Sequence, residues 1–243
     1  MTQIKATLID HMGSDLSIVN AARVSFGRTS SLEKVDTSFE AYDEDTKKVL
    51  WVEDYEYHLS DRDTKLIKYL AKHEHLSPFG HCFASFHIKA PIFVARQLVK
   101  HKFLRWNEIS RRYVDEDPEF YVPDVWRGRS KDKKQGSEGR VVDYESMWGF
   151  EGVEGDVNSH NQDSLDLYRN MVRQGVAPEQ ARMVLPQSTM TEWYWSGSMD
   201  AFASMCNLRL KSDTQYESRL VAQQINETMK NIFPVSWEAL VVE

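Results

Sequence analysis

The chain has 243 residues, 41% of them apolar and 12% aromatic, with a formal net charge of -7, which is enough apolar material for one large core. It contains no run of about 18 apolar residues, which excludes a membrane-spanning helix of the usual kind, and its acidic balance excludes the broad basic footprint of a bulk nucleic-acid binder. Two cysteines, Cys82 and Cys206, supply no disulfide framework, and the opening MTQIKATLIDHMGSD lacks the basic-then-apolar pattern of a signal peptide, so the expected location is cytoplasmic.

In chain order, residues 3–9 read as a strand. Residues 15–26 read as a helix with Ser14 as its N-cap. Residues 29–60 are polar, acidic and without clear periodicity, and are expected to be irregular. A helix starts near Asp61, with Leu66, Ile67, Leu70 and Ala71 on one face, and ends in the histidine-rich turn KHEHLSPFGH. Cys82, Ala84, Phe86 and Ile88 then alternate with Phe83, Ser85, His87 and Lys89, the pattern of a half-buried strand.

Pro91 opens the next helix, whose buried stripe is Ile92, Ala95, Leu98 and Val99, with Arg96, Gln97, Lys100 and His101 on the opposite arc. If the chain beyond it is extended, Glu108, Ser110 and Arg112 point one way and Ile109, Arg111 and Tyr113 the other. Residues 127–160 hold six of the eleven glycines among many charges and read as a surface insertion. Helices are expected at about 161–174, stopped by Gly175, and from Pro178 to Pro186. TMTEWYWSGS reads as an aromatic strand. Two helices follow, the second with a stripe of Tyr216, Leu220, Ile225, Met229 and Ile232, ended by Pro234. The fold class is α+β in one domain: a modest, mostly antiparallel sheet packed with several helices.

The chemistry concentrates in KHKFLRWNEISRRY, residues 100–113, which carries two lysines, three arginines, a histidine and a glutamate. A local cationic segment on an acidic chain points to a small anionic ligand with a planar, hydrogen-bonding head, such as a nucleotide. His73, His75, His81, Cys82 and His87 fit no closed zinc spacing, so no metal is expected. Both cysteines have apolar neighbours and read as buried structural thiols. There is no GxGxxG after a strand, so any flavin or nicotinamide is held without a Rossmann fingerprint.

APIFVARQLVKHKFLRWNEISRRY resembles the signature of the flavin-dependent thymidylate synthases, Arg-His-Arg, seven residues, then Ser. Lys100-His101-Lys102 stand at the Arg-His-Arg positions and Ser110 at the required distance. NAARVSF, KHEHLSPFGH, ARMVLP and CNLRL resemble further family segments in family order. The resemblance leaves out only about 29–60 and the glycine-rich stretch.

The resemblance implies methylation of dUMP at C5, with 5,10-methylenetetrahydrofolate as one-carbon donor and NADPH as hydride source through FAD. It implies that Arg209 stabilises an ionised uracil in place of a cysteine thiolate, a fixed guanidinium beside a developing anion. Contacts to dUMP carry over to Gln97, Lys100, Glu108, Ser110, Arg112, Arg182 and Arg209. Contacts to FAD carry over to Ser77, Lys100, His101, Lys102, Glu108 and Ser204, and His75 to the flavin and folate vicinity. Arg182 otherwise reads as a surface charge and Arg209 as half of a structural ion pair. The family assembles as a homotetramer with sites shared between subunits; neither nucleic acid nor membrane is an expected partner.

The chain departs from the family at two places. Lysine replaces both signature arginines, keeping the charge but losing the planar fork. Ser198, Asp200 and Ser204 stand where an asparagine and an arginine are expected near the adenosine end of the flavin. These departures keep a non-catalytic dUMP-binding protein as the alternative, and a metal-dependent hydrolase built on the histidines as a third reading.

Overall fold

The computed structural model describes residues 4–113, 116–131, 136–141 and 143–242. Its centre is a four-stranded antiparallel sheet in the order β1 (Lys5–Met12), β6 (Phe83–Pro91), β10 (Met190–Ser198) and β7 (Leu104–Glu108). Between β1 and β6 lie α1 (Asp15–Arg23), the strands β2 (Glu33–Asp36), β3 (Phe39–Asp43), β4 (Lys48–Val52) and β5 (Tyr55–His58), and α2 (Asp61–Lys72). Then α3 (Ile92–Leu98) leads to β7. The strands β8 (Arg127–Arg129) and β9 (Ser137–Arg140) and the helices α4 (Gly152–Arg173) and α5 (Pro178–Ala181) precede β10. The chain finishes with α6 (Met199–Arg209), α7 (Tyr216–Ile232) and α8 (Pro234–Leu240).

The expected alternation in β6 is observed. Cys82, Ala84, Phe86, Ile88 and Ala90 are buried, and Ser85, His87 and Lys89 are half-exposed. On β10, Trp193 and Trp195 pair with Ile88 and Phe86 and complete the buried face. Trp106 of β7 extends it, stacking on Trp193 with ring centroids 4.3 Å apart. Val94, Leu98, Phe202, Met205, Val221, Ile225 and Met229 from α3, α6 and α7 fill the space against these rings. Each such side chain contributes about 1.5–3 kcal/mol when fully buried. The opposite face of the sheet is polar: Ser85 Oγ donates to Ser196 Oγ at 2.8 Å, and His87 Nε2 lies 3.0 Å from Glu192.

The boundaries of α2 follow from its ends. Ser60 Oγ accepts from the Asp63 amide, Asp61 and Asp63 sit in the first turn, and Lys72 in the last. Buried Asp63 is ion-paired with Arg23 of α1, which fastens the two helices together.

Several local readings differ from the structure. Val99, expected in the buried stripe of α3, is exposed just past the end of that helix, and the helix expected from Pro178 to Pro186 is one α-helical turn, Pro178–Ala181, followed by a 3-10 turn, Arg182–Val184. Residues 33–58 form a β-ribbon, β2 on β5 and β3 on β4, in place of irregular chain. The ribbon buries neither face, so the alternation that marks a half-buried strand is absent from its sequence. The helix expected from about 161 begins at Gly152; its early turns hold polar residues such as Asp156, which accepts from Tyr144 Oη at 3.0 Å and the Met147 amide at 2.8 Å. The buried stripe of α7 is Val221, Ala222, Ile225 and Met229, while Tyr216 is exposed. Pro234 ends α7 and also opens α8, at a first-turn position where a missing N–H costs nothing. The carboxylate of buried Asp15 caps that helix, accepting from the Val235 and Ser236 amides at 3.0 Å each.

Candidate active site

The last turn of α3 and the last residue of α6 meet beside the sheet. Arg209 Nε donates to His101 Nε2 at 2.9 Å, and Arg209 Nη2 to the Gln97 carbonyl at 3.4 Å. Burial, reinforced by the neighbouring guanidinium, pushes the His101 imidazole down to about 4, so it is neutral and accepts the hydrogen bond. Burial also lowers the pKa of Arg209. Among the described residues no carboxylate forms an ion pair with Arg209. The structural ion pair considered from sequence is thus not what holds it. A half-buried guanidinium without a counter-anion is poised for an anionic ligand.

Gln97, Lys100 and Arg209 line a cavity of about 1000 Å³, together with Trp126, Arg127, Asn161, Ser188, Lys211 and Gln215. Gln97 Nε2 donates to Gln215 Oε1 at 3.2 Å, and Gln97 Oε1 is buried without a partner. Arg127 is ion-paired with buried Glu217 and lies 4.4 Å from the Tyr216 ring.

The remaining expected contacts lie outside that cavity. Lys102 is exposed in the turn after α3, beside Phe103, whose left-handed backbone (φ 64°) leaves its ring 84% exposed. Glu108, at the end of β7, accepts from Thr191 Oγ1 at 2.7 Å and Trp106 Nε1 at 3.0 Å. The chain is extended only as far as Glu108. It then turns, and Arg112 Nε reaches back to Ser110 Oγ at 3.3 Å. Arg182 is exposed and donates to the Glu179 carbonyl. Ser77 opens the short turn before β6, and Ser204 is on the exposed side of α6. His75 lies 6.1 Å from the Tyr69 ring and lines a second cavity of about 650 Å³.

Sequence reasoning missed Trp126, Arg127, Lys211 and Gln215. Gln215 stands six residues after Arg209 and was within reach of a local argument. Arg127 reaches its ion-pair partner only through the tertiary fold.

Both thiols are shielded. Burial raises Cys82 to about 11, while its Sγ donates to the Ser14 carbonyl at 3.5 Å, and burial raises Cys206 further. Neither is a thiolate near neutral pH, and neither lines the Arg209 cavity.

Residues 7–235 match the family model described as thymidylate synthase complementing protein. The chain belongs to the flavin-dependent thymidylate synthase family. A flavin-dependent thymidylate synthase of Thermus thermophilus is 39% identical over 232 residues, covering 96% of this chain and 73% of the relative. One from Kosmotoga olearia is 36% identical over 234 residues, covering 96% and 88%. Among solved structures, the UMP/dUMP methylase PolB from Streptomyces cacaoi bound with 5-Br dUMP superposes with a TM-score of 0.75 at 28% identity, covering 98% of this chain and 95% of that one. The family supplies its characteristic cofactor, FAD, and the α+β architecture with its central antiparallel sheet agrees with this relationship.

Proposed function

We propose that this chain is a flavin-dependent thymidylate synthase that methylates dUMP to dTMP, with 5,10-methylenetetrahydrofolate and NADPH as co-substrates. The observation that carries the reading is Arg209, desolvated, without a counter-anion, and fixed by His101 and the Gln97 carbonyl at the edge of a nucleotide-sized cavity. A guanidinium held there stabilises negative charge on uracil without transferring a proton. Lys100 supplies a cation for the substrate side, and Gln97 an amide for the base. Arg112 and Arg182 suit the phosphate, with Glu108 and Ser110 as hydrogen-bonding contacts.

The donors present fit FAD. Lys100 and Lys102 are exposed ammonium groups suited to a diphosphate. Asp200 Oδ1 is buried without a partner near Gly80, in the turn that Ser77 opens, and suits a hydroxyl or amine donor of the adenosine end. Bound FAD supplies hydride transfer from NADPH. His101, Ser204 and His75 complete the proposed flavin surroundings.

The chain functions as one domain, with 127–160 as an elaboration of its surface, and as a homotetramer in the cytoplasm. The scatter of the proposed contacts over separate exposed surfaces supports sites completed by neighbouring copies. Among the described residues no helix is long and apolar enough to cross a membrane.

The test is the visible spectrum of the purified protein with and without FAD, followed by anaerobic NADPH addition. Bleaching, then reoxidation only when dUMP and methylenetetrahydrofolate are both present, is the expected result. Binding of dUMP without flavin reduction would move the chain to the binding-only reading, which the relatives do not favour.

A further inference from the structure

The β-ribbon of β2–β5 and β3–β4 is made of residues that do not pack on the rest of the chain. Every residue of β4 is exposed, and Trp51 is 63% exposed. Pairing of Phe39 with Val52 and of Ala41 with Leu50 puts apolar groups on one face. Trp51, Tyr42 and Val49 occupy the other. An isolated two-stranded ribbon is only marginally stable in water, and one that shows apolar side chains on both faces is built to be covered.

Its root is rigid. The Ser30 amide donates to Asn20 Oδ1 at 2.7 Å and Ser30 Oγ to Asp63 at 3.2 Å, while Ser60 caps α2 directly after the ribbon. The ribbon thus leaves the body as an arm held between α1 and α2.

The arm is also strongly acidic. Residues 33–58 hold nine aspartates and glutamates against three lysines, nearly the whole negative excess of the chain. Its electrostatic complement is on the same protein. Arg62, Lys65, Lys68 and Lys72 form one exposed stripe of α2 at helical spacing, and none of them makes an ion pair among the described residues. Beside the stripe is the cavity of about 650 Å³ with Arg28, Arg62 and Lys65 among its cations and Phe26, Leu66 and Tyr69 among its apolar groups.

We propose that the acidic aromatic arm, residues 33–58, docks on the α2 face of a second copy of this chain. The exchange is reciprocal under a two-fold axis, so each copy gives one arm and receives one. The other cationic segment, Lys100–Tyr113, is committed to the proposed ligands; the α2 stripe is not. The arm covers the stripe and leaves the neighbouring cavity, which His75 lines, to the proposed flavin and folate. The inference deepens the assembly reading above and rests on it.

Sedimentation velocity of the full chain at low and high salt tests it, with far-UV circular dichroism as a folding control. Trp51→Ser/Phe39→Ser and, separately, Lys65→Glu/Lys68→Glu are each expected to weaken association at least tenfold. Combining Lys65→Glu/Lys68→Glu with Glu40→Lys/Glu44→Lys is expected to restore it. High salt is expected to weaken the wild-type assembly. A wild-type monomer at all salts would overturn the assembly reading itself. A wild-type oligomer that all the variants reproduce, with unchanged salt dependence, would overturn the arm alone and assign the ribbon to a different partner.

Discussion

Arg209 Nε donates to His101 Nε2 at 2.9 Å, so the partner of the candidate catalytic guanidinium is a neutral imidazole and not a carboxylate. The arrangement orients the arginine without neutralising it. Its charge stays available to a ligand, in surroundings where burial strengthens electrostatic interactions.

Arg209→Ala is expected to lower kcat for dTMP formation by about 100- to 1000-fold with the fold intact, the range seen when one fixed oxyanion donor is removed. Arg209→Lys is expected to recover little, because an ammonium cannot hold both the His101 and Gln97 contacts in a planar fork. Steady-state dTMP assays with circular dichroism check this, and full activity in the alanine variant would remove the proposed role.

His101 gives the protein a pH dependence of definite sign. Its pKa is pushed down in the fold from an ordinary 6.5 to about 4. The unfolded chain therefore binds the proton first. The stability associated with the neutral ring is complete above pH 6.5 and is lost as pH falls toward 4. His101→Gln is expected to flatten the Tm profile across that window by a few degrees relative to wild type, which thermal melts at stepped pH would reveal.

Cys82→Ala/Cys206→Ala is expected to retain turnover, because both thiols are buried, have raised pKa values and lie outside the Arg209 cavity. A modest loss of Tm is expected from the vacated volume. A folded but inactive double variant would reinstate a thiolate route.

Arg23→Ala is expected to cost about 3 kcal/mol in urea unfolding, since it strands buried Asp63. Burial alone would raise the Asp63 carboxyl. The hydrogen bonds from Arg23, Ser30 and Ser60 outweigh it and hold the pKa below the ordinary range. That stability is present above the ordinary carboxylate pKa and is lost as pH falls through the lowered one.

Gly197→Ala tests how the sheet positions the cationic segment. A Cβ at Gly197 would overlap Leu104 Cδ2 and lie 2.9 Å from the Phe103 carbonyl oxygen. Overpacking of this kind costs roughly 1–3 kcal/mol. Displacement of β7 is expected to reduce FAD retention as well as Tm, both readable on the purified protein.

Much of this molecule was written locally. The alternation of Cys82, Ala84, Phe86 and Ile88, the Ser60 cap and the Gly175 stop depend on neighbours a few residues away, so sequence alone placed β6, α2 and the end of α4. Ordered motifs around Lys100–Ser110 and Arg209 likewise placed the chain in its family. The ribbon at 33–58 stayed hidden because exposed strands carry no burial pattern, and α8 because Pro234 signals both a stop and a start. Only the tertiary structure decided that Arg209 is set by His101, 108 positions away, and that Arg127 and Glu217 pair across the rim of the cavity. Periodicity records which face a residue buries; it does not record which distant element that face will meet.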